Sequence, residues 1–214
     1  LGAIRHKGFI PWDDDIDIFM PWKDYLKFIE VFEGNEHYSM LGMGTSDTKE
    51  FSDIFAKVVD RRTLVNEDIG TVRKVNPLWI DVFPLVGLPT DANERHMFFR
   101  NYQETNRSIW QDFYGNSGDV SVFGKWYRRQ KEFLEKYDFD EAEYVGVLGT
   151  VYGERDCTGR SVYDETIRKP FEDILVNVPV GYQEYLDNLY GKDWGKLPEE
   201  SKRKSHHMIE AYWV

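Results

Sequence analysis

Alternation of acid and isoleucine in Trp12-Asp13-Asp14-Asp15-Ile16-Asp17-Ile18 is the feature that most limits what this chain can fold into. Side chains along a strand alternate between its two faces. A strand here sets Asp15 and Asp17 on one face and Ile16 and Ile18 on the other. An acidic run is ordinarily a solvated loop or a helix cap, but neither needs interleaved isoleucines. Two carboxylates on one face repel each other unless a cation lies between them. Hard oxygen ligands at this spacing suit Mg²⁺, which takes one or two carboxylates and completes its shell with phosphate oxygens and water. A second acid, Asp81, is the lone charge in the apolar run Leu78-Trp-Ile-Asp-Val-Phe-Pro-Leu85. A carboxylate in a buried strand needs a partner or a metal. If the two strands are neighbours, Asp15, Asp17 and Asp81 form a triad suited to phosphoryl transfer. There, metal ions neutralise diphosphate charge and one carboxylate helps activate an attacking hydroxyl. The alternative for Asp81 is a salt bridge to Lys57, Arg61 or Arg62.

The surrounding pattern is α+β. Residues 1–7 read as the last turns of a helix stopped by Gly8, and Pro11 keeps the following connection extended. Asp15–Met20 reads as a strand. Pro21 then opens a helix with Tyr25, Phe28, Ile29 and Phe32 at helical spacing. Tyr38–Met43, Phe51–Leu64 (bent near Asp60-Arg61-Arg62) and Leu78–Leu85 read as further strands. From about Asn93 to Tyr152 the pattern is helical, broken at Tyr114-Gly-Asn-Ser-Gly118. An extended segment runs from Lys169 to Pro179, and Tyr182–Tyr190 is an amphipathic helix. The expected organisation is one domain over 1–214: a metal-binding mixed sheet core in 1–90 and a mostly helical section in 91–214.

A formal net charge of −11 argues against a nucleic-acid partner, because such affinity comes mainly from Lys and Arg neutralising phosphates. No apolar stretch approaches the roughly 18 residues of a membrane span. The single cysteine, Cys157, excludes an internal disulfide and a cysteine-rich zinc site, and fits a reducing cytoplasm. The opening Leu1-Gly-Ala-Ile-Arg-His-Lys-Gly8 reads as an element already under way, so an N-terminal part is expected to be missing. Aromatic residues make up 16 % of the chain. They suit a core, and equally sugar, base or quaternary-ammonium recognition.

The segment Leu1-Gly-Ala-Ile-Arg-His-Lys-Gly-Phe-Ile-Pro-Trp-Asp-Asp-Asp-Ile-Asp-Ile18 resembles the signature of the LicD family. These are bacterial phosphocholine transferases related to fukutin and fukutin-related protein. Ala56-Lys-Val-Val-Asp60 with Thr63, Trp79-Ile-Asp-Val-Phe-Pro-Leu85, and Tyr185-Leu…Leu189-Tyr-Gly-Lys-Asp193…Leu197-Pro198 are similar to the family as well. The resemblance implies a polymerase-β-like nucleotidyltransferase fold, with the D-x-D at Asp15 and Asp17 and the third acid at Asp81. It implies Mg²⁺, or Mn²⁺, as cofactor and a CDP-linked small-molecule donor. The acceptor it implies is a glycan hydroxyl of the cell surface or its precursor, as in teichoic acid or lipopolysaccharide. The enzyme is then expected in the cytoplasm, associated peripherally with membrane-linked precursors. Family members carry a Gly-Gly or Gly-Ser turn before the first helix that helps hold nucleotide phosphates; it would lie upstream of Leu1.

Two basic residues are candidates for substrate binding. Arg5 lies at a helix C-terminus, where the dipole alone favours a cation, and equally suits phosphate or acceptor contact. Lys57, between Phe55-Ala56 and Val58-Val59, is a candidate for a donor phosphate or a charge partner of the aspartates. His206 and His207 have no metal-ligand spacing of their own, and Phe171-Glu-Asp173, although similar to a family segment, reads as surface; neither joins the catalytic set. Two other functions compete. A D-x-D glycosyltransferase normally has about a hundred residues of α/β structure before its motif, whereas fourteen precede Asp15 here. A catalytically inactive nucleotide- or glycan-binding relative would be consistent with the absent glycine turn, though all three carboxylates are present.

Overall fold

The computed structural model describes residues 1–42, 54–69, 72–116, 121–204 and 208–214. Met43, Phe51, Ser117, Gly118, His206 and His207 lie outside these residues. The centre is a mixed sheet built on β4 (Val72–Leu88). On one edge β4 pairs antiparallel with β3 (Ala56–Ile69), which pairs in turn with β2 (Tyr38–Leu41). On the other edge it pairs parallel with β1 (Asp17–Pro21). A strand has two edges, and Leu85 pairs with both Pro21 of β1 and Val147 of β5 (Tyr144–Val147). Strand β5 therefore continues the edge that β3 leaves at Ala56, and β6 (Cys157–Gly159) follows it. The C-terminal β9 (Met208–Trp213) pairs with the far half of β3. A separate hairpin is formed by β7 (Thr166–Phe171) and β8 (Ile174–Pro179).

The two faces of β4 bury different things. Val82, Val86 and Leu88 point towards α2 (Trp22–Val31) and α3 (Ala92–Gly115), meeting Trp22, Tyr25, Phe98, Phe99 and Tyr102. Phe83 and Leu85 point the opposite way, against Phe55, Val145 and Val147, and towards Phe19, Tyr163 and Tyr185 of α5 (Tyr182–Tyr190). Pro21 is the N-cap of α2, as its fixed φ suits. Tyr25 faces the sheet, and its hydroxyl accepts the Ala56 N–H at 3.0 Å where β3 begins. Asp91 caps α3 by accepting the N–H groups of Asn93 and Glu94 at 2.9 and 3.0 Å. Helix α4 (Ser121–Leu134) packs antiparallel on α3 through Ile109, Phe123 and Trp126.

Three local outcomes differ from the sequence pattern. The helical run expected to reach Tyr152 ends at Leu134, and short strands return from Tyr144. Gly146 allows this pairing: a Cβ there would lie 2.9 Å from a Leu88 methyl and 3.1 Å from the Phe99 ring. The opening helix α1 (Gly2–Arg5) stops before Gly8, and the left-handed residue is Lys7, with φ 60°. The β7–β8 turn holds it there. Glu172 N–H donates to the Lys7 carbonyl at 2.8 Å, and the Glu172 carboxylate accepts the Phe9 N–H at 2.9 Å. Phe9 and Phe171 rings meet at 5.0 Å. Finally, β1 begins at Asp17, so Asp15 precedes the regular strand.

The bend anticipated in β3 is a register shift between Asp60 and Val65. Buried Thr63 spans it: its hydroxyl donates to the Asp60 carbonyl at 2.7 Å and accepts the Leu78 N–H at 2.9 Å. Thr63→Val keeps the shape and removes both bonds. The expected loss is about 1–3 kcal/mol of unfolding free energy, read as a lower denaturation midpoint with an unchanged slope.

Candidate active site

Pairing register alone lines up the charged residues. Asp81 is opposite Asp17 on β1 and opposite Lys57 on β3, so the three side chains form one row across adjacent strands. The row lies on the face shared by Phe83 and Leu85, away from α2 and α3. The Asp81 N–H donates to the Ile16 carbonyl at 2.9 Å, which ties the acidic segment to β4 just before β1 starts. Asp81 is 7 % exposed. Lys57 Nζ lies 2.9 Å from Asp81 Oδ1 and rests 4.7 Å from the Trp79 ring centre and 5.3 Å from that of Phe55. Of the cations weighed for Asp81, then, Lys57 meets it. Arg62 pairs with Asp60 at 2.6 Å, and Arg61 donates to the Ser39 hydroxyl at 2.8 Å.

Upstream of the row, the chain turns at Pro11-Trp12, with Asp13 N–H donating to the Ile10 carbonyl at 2.9 Å. The turn gathers Asp13, Asp14 and Asp15, whose carboxylate oxygens come within 4.8 Å of one another. Asp15 thus meets its two sequence neighbours, while Asp17 sits beside Asp81. The residue Asp17 is exposed as a whole, yet its carboxyl is shielded from water and surrounded by like charge. Burial of that group, with the charges of Asp15, Asp81 and Asp13, pushes its pKa up to about 7, against a smaller opposing pull from Lys57. A carboxyl raised towards neutrality by burial and by neighbouring acids fits a divalent cation. The donor set is all oxygen, which suits Mg²⁺ or Mn²⁺.

Arg5 is turned towards the C-terminal part of the chain. Its Nη1 donates to the carbonyls of Trp194 and Lys196 at 3.0 and 3.3 Å. This clamp ties the segment after α5 to α1, and further along Arg203 lies over the ring of Trp12 in the turn. Tyr190, the last residue of α5, accepts a hydrogen bond from the Tyr152 hydroxyl at 3.3 Å. Deeper in the same wall, Asp156 is fully buried and accepts from the hydroxyls of Tyr185, at 3.1 Å, and Thr150. Burial lifts its pKa to about 6, partly offset by those two donors and the Arg155 charge. The Tyr185 ring lies 5.6 Å from Phe19, two residues beyond Asp17 on the same face. Sequence reasoning passed over Tyr152 and Asp156, gave Tyr185 no role beyond a family-like stretch, and set Phe171-Glu-Asp173 aside as surface. Gly153-Glu-Arg-Asp156 reads as an ordinary charged turn, and its short 3₁₀ turn has no periodicity to reveal burial. The nearest signal was the family-like Tyr185–Asp193 stretch.

Residues 1–144 match the family described as LicD/FKTN/FKRP, nucleotidyltransferase domain. The chain belongs to this family. It is 30 % identical over 230 residues to the lipopolysaccharide cholinephosphotransferase LicD of Haemophilus influenzae, an alignment covering 99 % of this chain and 85 % of that protein. No solved structure matches the chain.

The proton on Asp17 makes a specific pH dependence. The unfolded chain releases it near 3.8 and the native state near 7. Between those values the native state binds more protons, so metal-free stability should fall as pH rises and level off above neutrality. Asp17→Asn should flatten that fall and hold or raise the thermal midpoint at about pH 8. Thermal unfolding in chelator from about pH 5 to about pH 8 checks this, and a variant destabilised at the upper end would mark Asp17 as a structural partner.

Proposed function

We propose that this protein is a metal-dependent transferase that moves a phosphocholine-like group from a CDP-linked donor to a hydroxyl of a lipopolysaccharide-type glycan or its precursor. The observation that carries the reading is the row of Asp17, Asp81 and Lys57 on one face of the sheet, with a cluster of acids at its head. The named activity of the Haemophilus relative supplies the transferred group and the acceptor class. Asp15, Asp17 and Asp81 would hold Mg²⁺ or Mn²⁺, which supplies positive charge for the donor pyrophosphate. With that charge present, Asp81 no longer depends on Lys57. The lysine is then placed to take a phosphate oxygen, its ammonium steadied by Phe55 and Trp79.

In the reaction, the acceptor hydroxyl oxygen bonds to the phosphorus that carries choline, and the bond from that phosphorus to the bridging pyrophosphate oxygen breaks. CMP departs with the electron pair, and the hydroxyl proton passes to a carboxylate oxygen of the aspartate row. Carboxylates fixed on paired strands cost little reorganisation as the transition state forms. Among the described residues no helix is long and apolar enough to cross a membrane.

The test uses the full-length protein in calorimetry with CDP-choline and UDP-glucose. Binding of CDP-choline is expected only with Mg²⁺ or Mn²⁺. Asp17→Asn and Asp81→Asn should each lower transfer about 100-fold or more with the fold intact by circular dichroism. Binding of UDP-glucose alone would overturn the reading in favour of glycosyl transfer, and binding of neither would favour an inactive relative.

A further inference from the structure

The acidic turn is bordered by aromatic rings, and most of them are already engaged. Arg203 stacks on Trp12 at 5.4 Å, and the His6 ring meets Trp12 edge-on at 5.6 Å. Lys57 lies against Trp79. Phe19, Tyr163 and Tyr185 fill one another's space, with centroids 5.6–6.3 Å apart, too close to admit a ligand between them. Tyr190 is different: it is 42 % exposed and stands at 79° to Tyr152, with centroids 5.7 Å apart. We infer that Tyr190, braced by Tyr152, forms the wall of the active site that recognises the quaternary ammonium head of the transferred alcohol. This rests on the phosphocholine-transfer reading above and names the residues that would select that group.

Three features support the assignment. The corner is rigid. Arg155 covers a face of Tyr152 at 5.1 Å and donates to the Leu189 carbonyl at 3.2 Å, and the Tyr152–Tyr190 hydroxyl bond closes the pair. It is also held at the site. Tyr185, five residues earlier on α5, is fixed by buried Asp156 and packs on Phe19, and Arg5 clamps the chain just after Tyr190. Its electrostatics favour a cation as well: burial and the Tyr152 contacts raise the pKa of the Tyr190 hydroxyl, and the charges of Asp13 and Asp17 add smaller contributions of the same sign. A trimethylammonium cannot donate hydrogen bonds and is weakly hydrated, so a ring face beside carboxylates is its best environment. A primary ammonium gains more from water and hydrogen-bond acceptors.

The experiment measures Kd of the full-length wild type, Tyr190→Leu and Tyr190→Phe for CDP-choline, CDP-ethanolamine and CDP, each with Mg²⁺. Tyr190→Leu should weaken CDP-choline about 3- to 30-fold, leave CDP unchanged and narrow the preference over CDP-ethanolamine. Tyr190→Phe keeps the ring and, although it loses the Tyr152 hydroxyl bond, should retain the wild-type preference for CDP-choline over CDP-ethanolamine. Equal losses of CDP and CDP-choline in Tyr190→Leu, or an unchanged preference, would overturn the assignment while leaving the transfer reading intact. A wild type that binds CDP but gains nothing from choline would overturn it too. Failure of the wild type to bind CDP-choline at all would remove the transfer reading itself, and this inference with it.

Discussion

Everything at the site follows from placing two carboxylates opposite each other on paired strands inside an apolar sheet. Asp17 and Asp81 face one way because a parallel register allows nothing else, and the hydrophobic faces of β1 and β4 fix that register. The sheet thereby holds a local excess of negative charge. It is answered on one side by the Lys57 ammonium and on the other by the proton that Asp17 retains. In the proposed reading, an added divalent cation would take the place of both. The site is thus less a finished structure than a charge imbalance kept at a fixed position.

Much of this was legible in the sequence, for identifiable reasons. Isolated acids within β-branched and aromatic runs can be read directly, because burying them unpaired is so costly. Hence β1, β4, the Asp17–Asp81 face and the start of α2 at Pro21 were all anticipated. Strand alternation gave a less complete account of Asp15, because regular structure begins two residues later, after a turn that bunches it with Asp13 and Asp14. The choice among Lys57, Arg61 and Arg62 for Asp81 depended on register, which cross-strand pairing sets and local pattern does not. Asp156 was invisible for a related reason. Its burial arises from tertiary packing of a short 3₁₀ turn against α5, and nothing within four residues of it reports that contact.

Helix α5 links the aspartate row to the Tyr152–Tyr190 corner. Its apolar face, with Leu186 and Leu189, seats it on the sheet's second side, opposite α2 and α3. Amphipathicity explains that it docks but leaves its rotation open. The buried Asp156 carboxylate adds a directional bond to Tyr185 and so fixes where Tyr190 ends up. A buried carboxylate contributes little net stability, and its value here is geometric.

The clamp between Arg5 and the carbonyls of Trp194 and Lys196, with the Glu172 grip on Lys7 and Phe9, spans nearly the full length of the chain. During synthesis the acidic turn leaves the ribosome before its supports, which lie 163 to 191 residues from the residues they hold. A nascent chain therefore carries the aspartates before it has the contacts that hold them in place. The site is complete only once the segment after α5 and the β7–β8 turn have met the N-terminal residues.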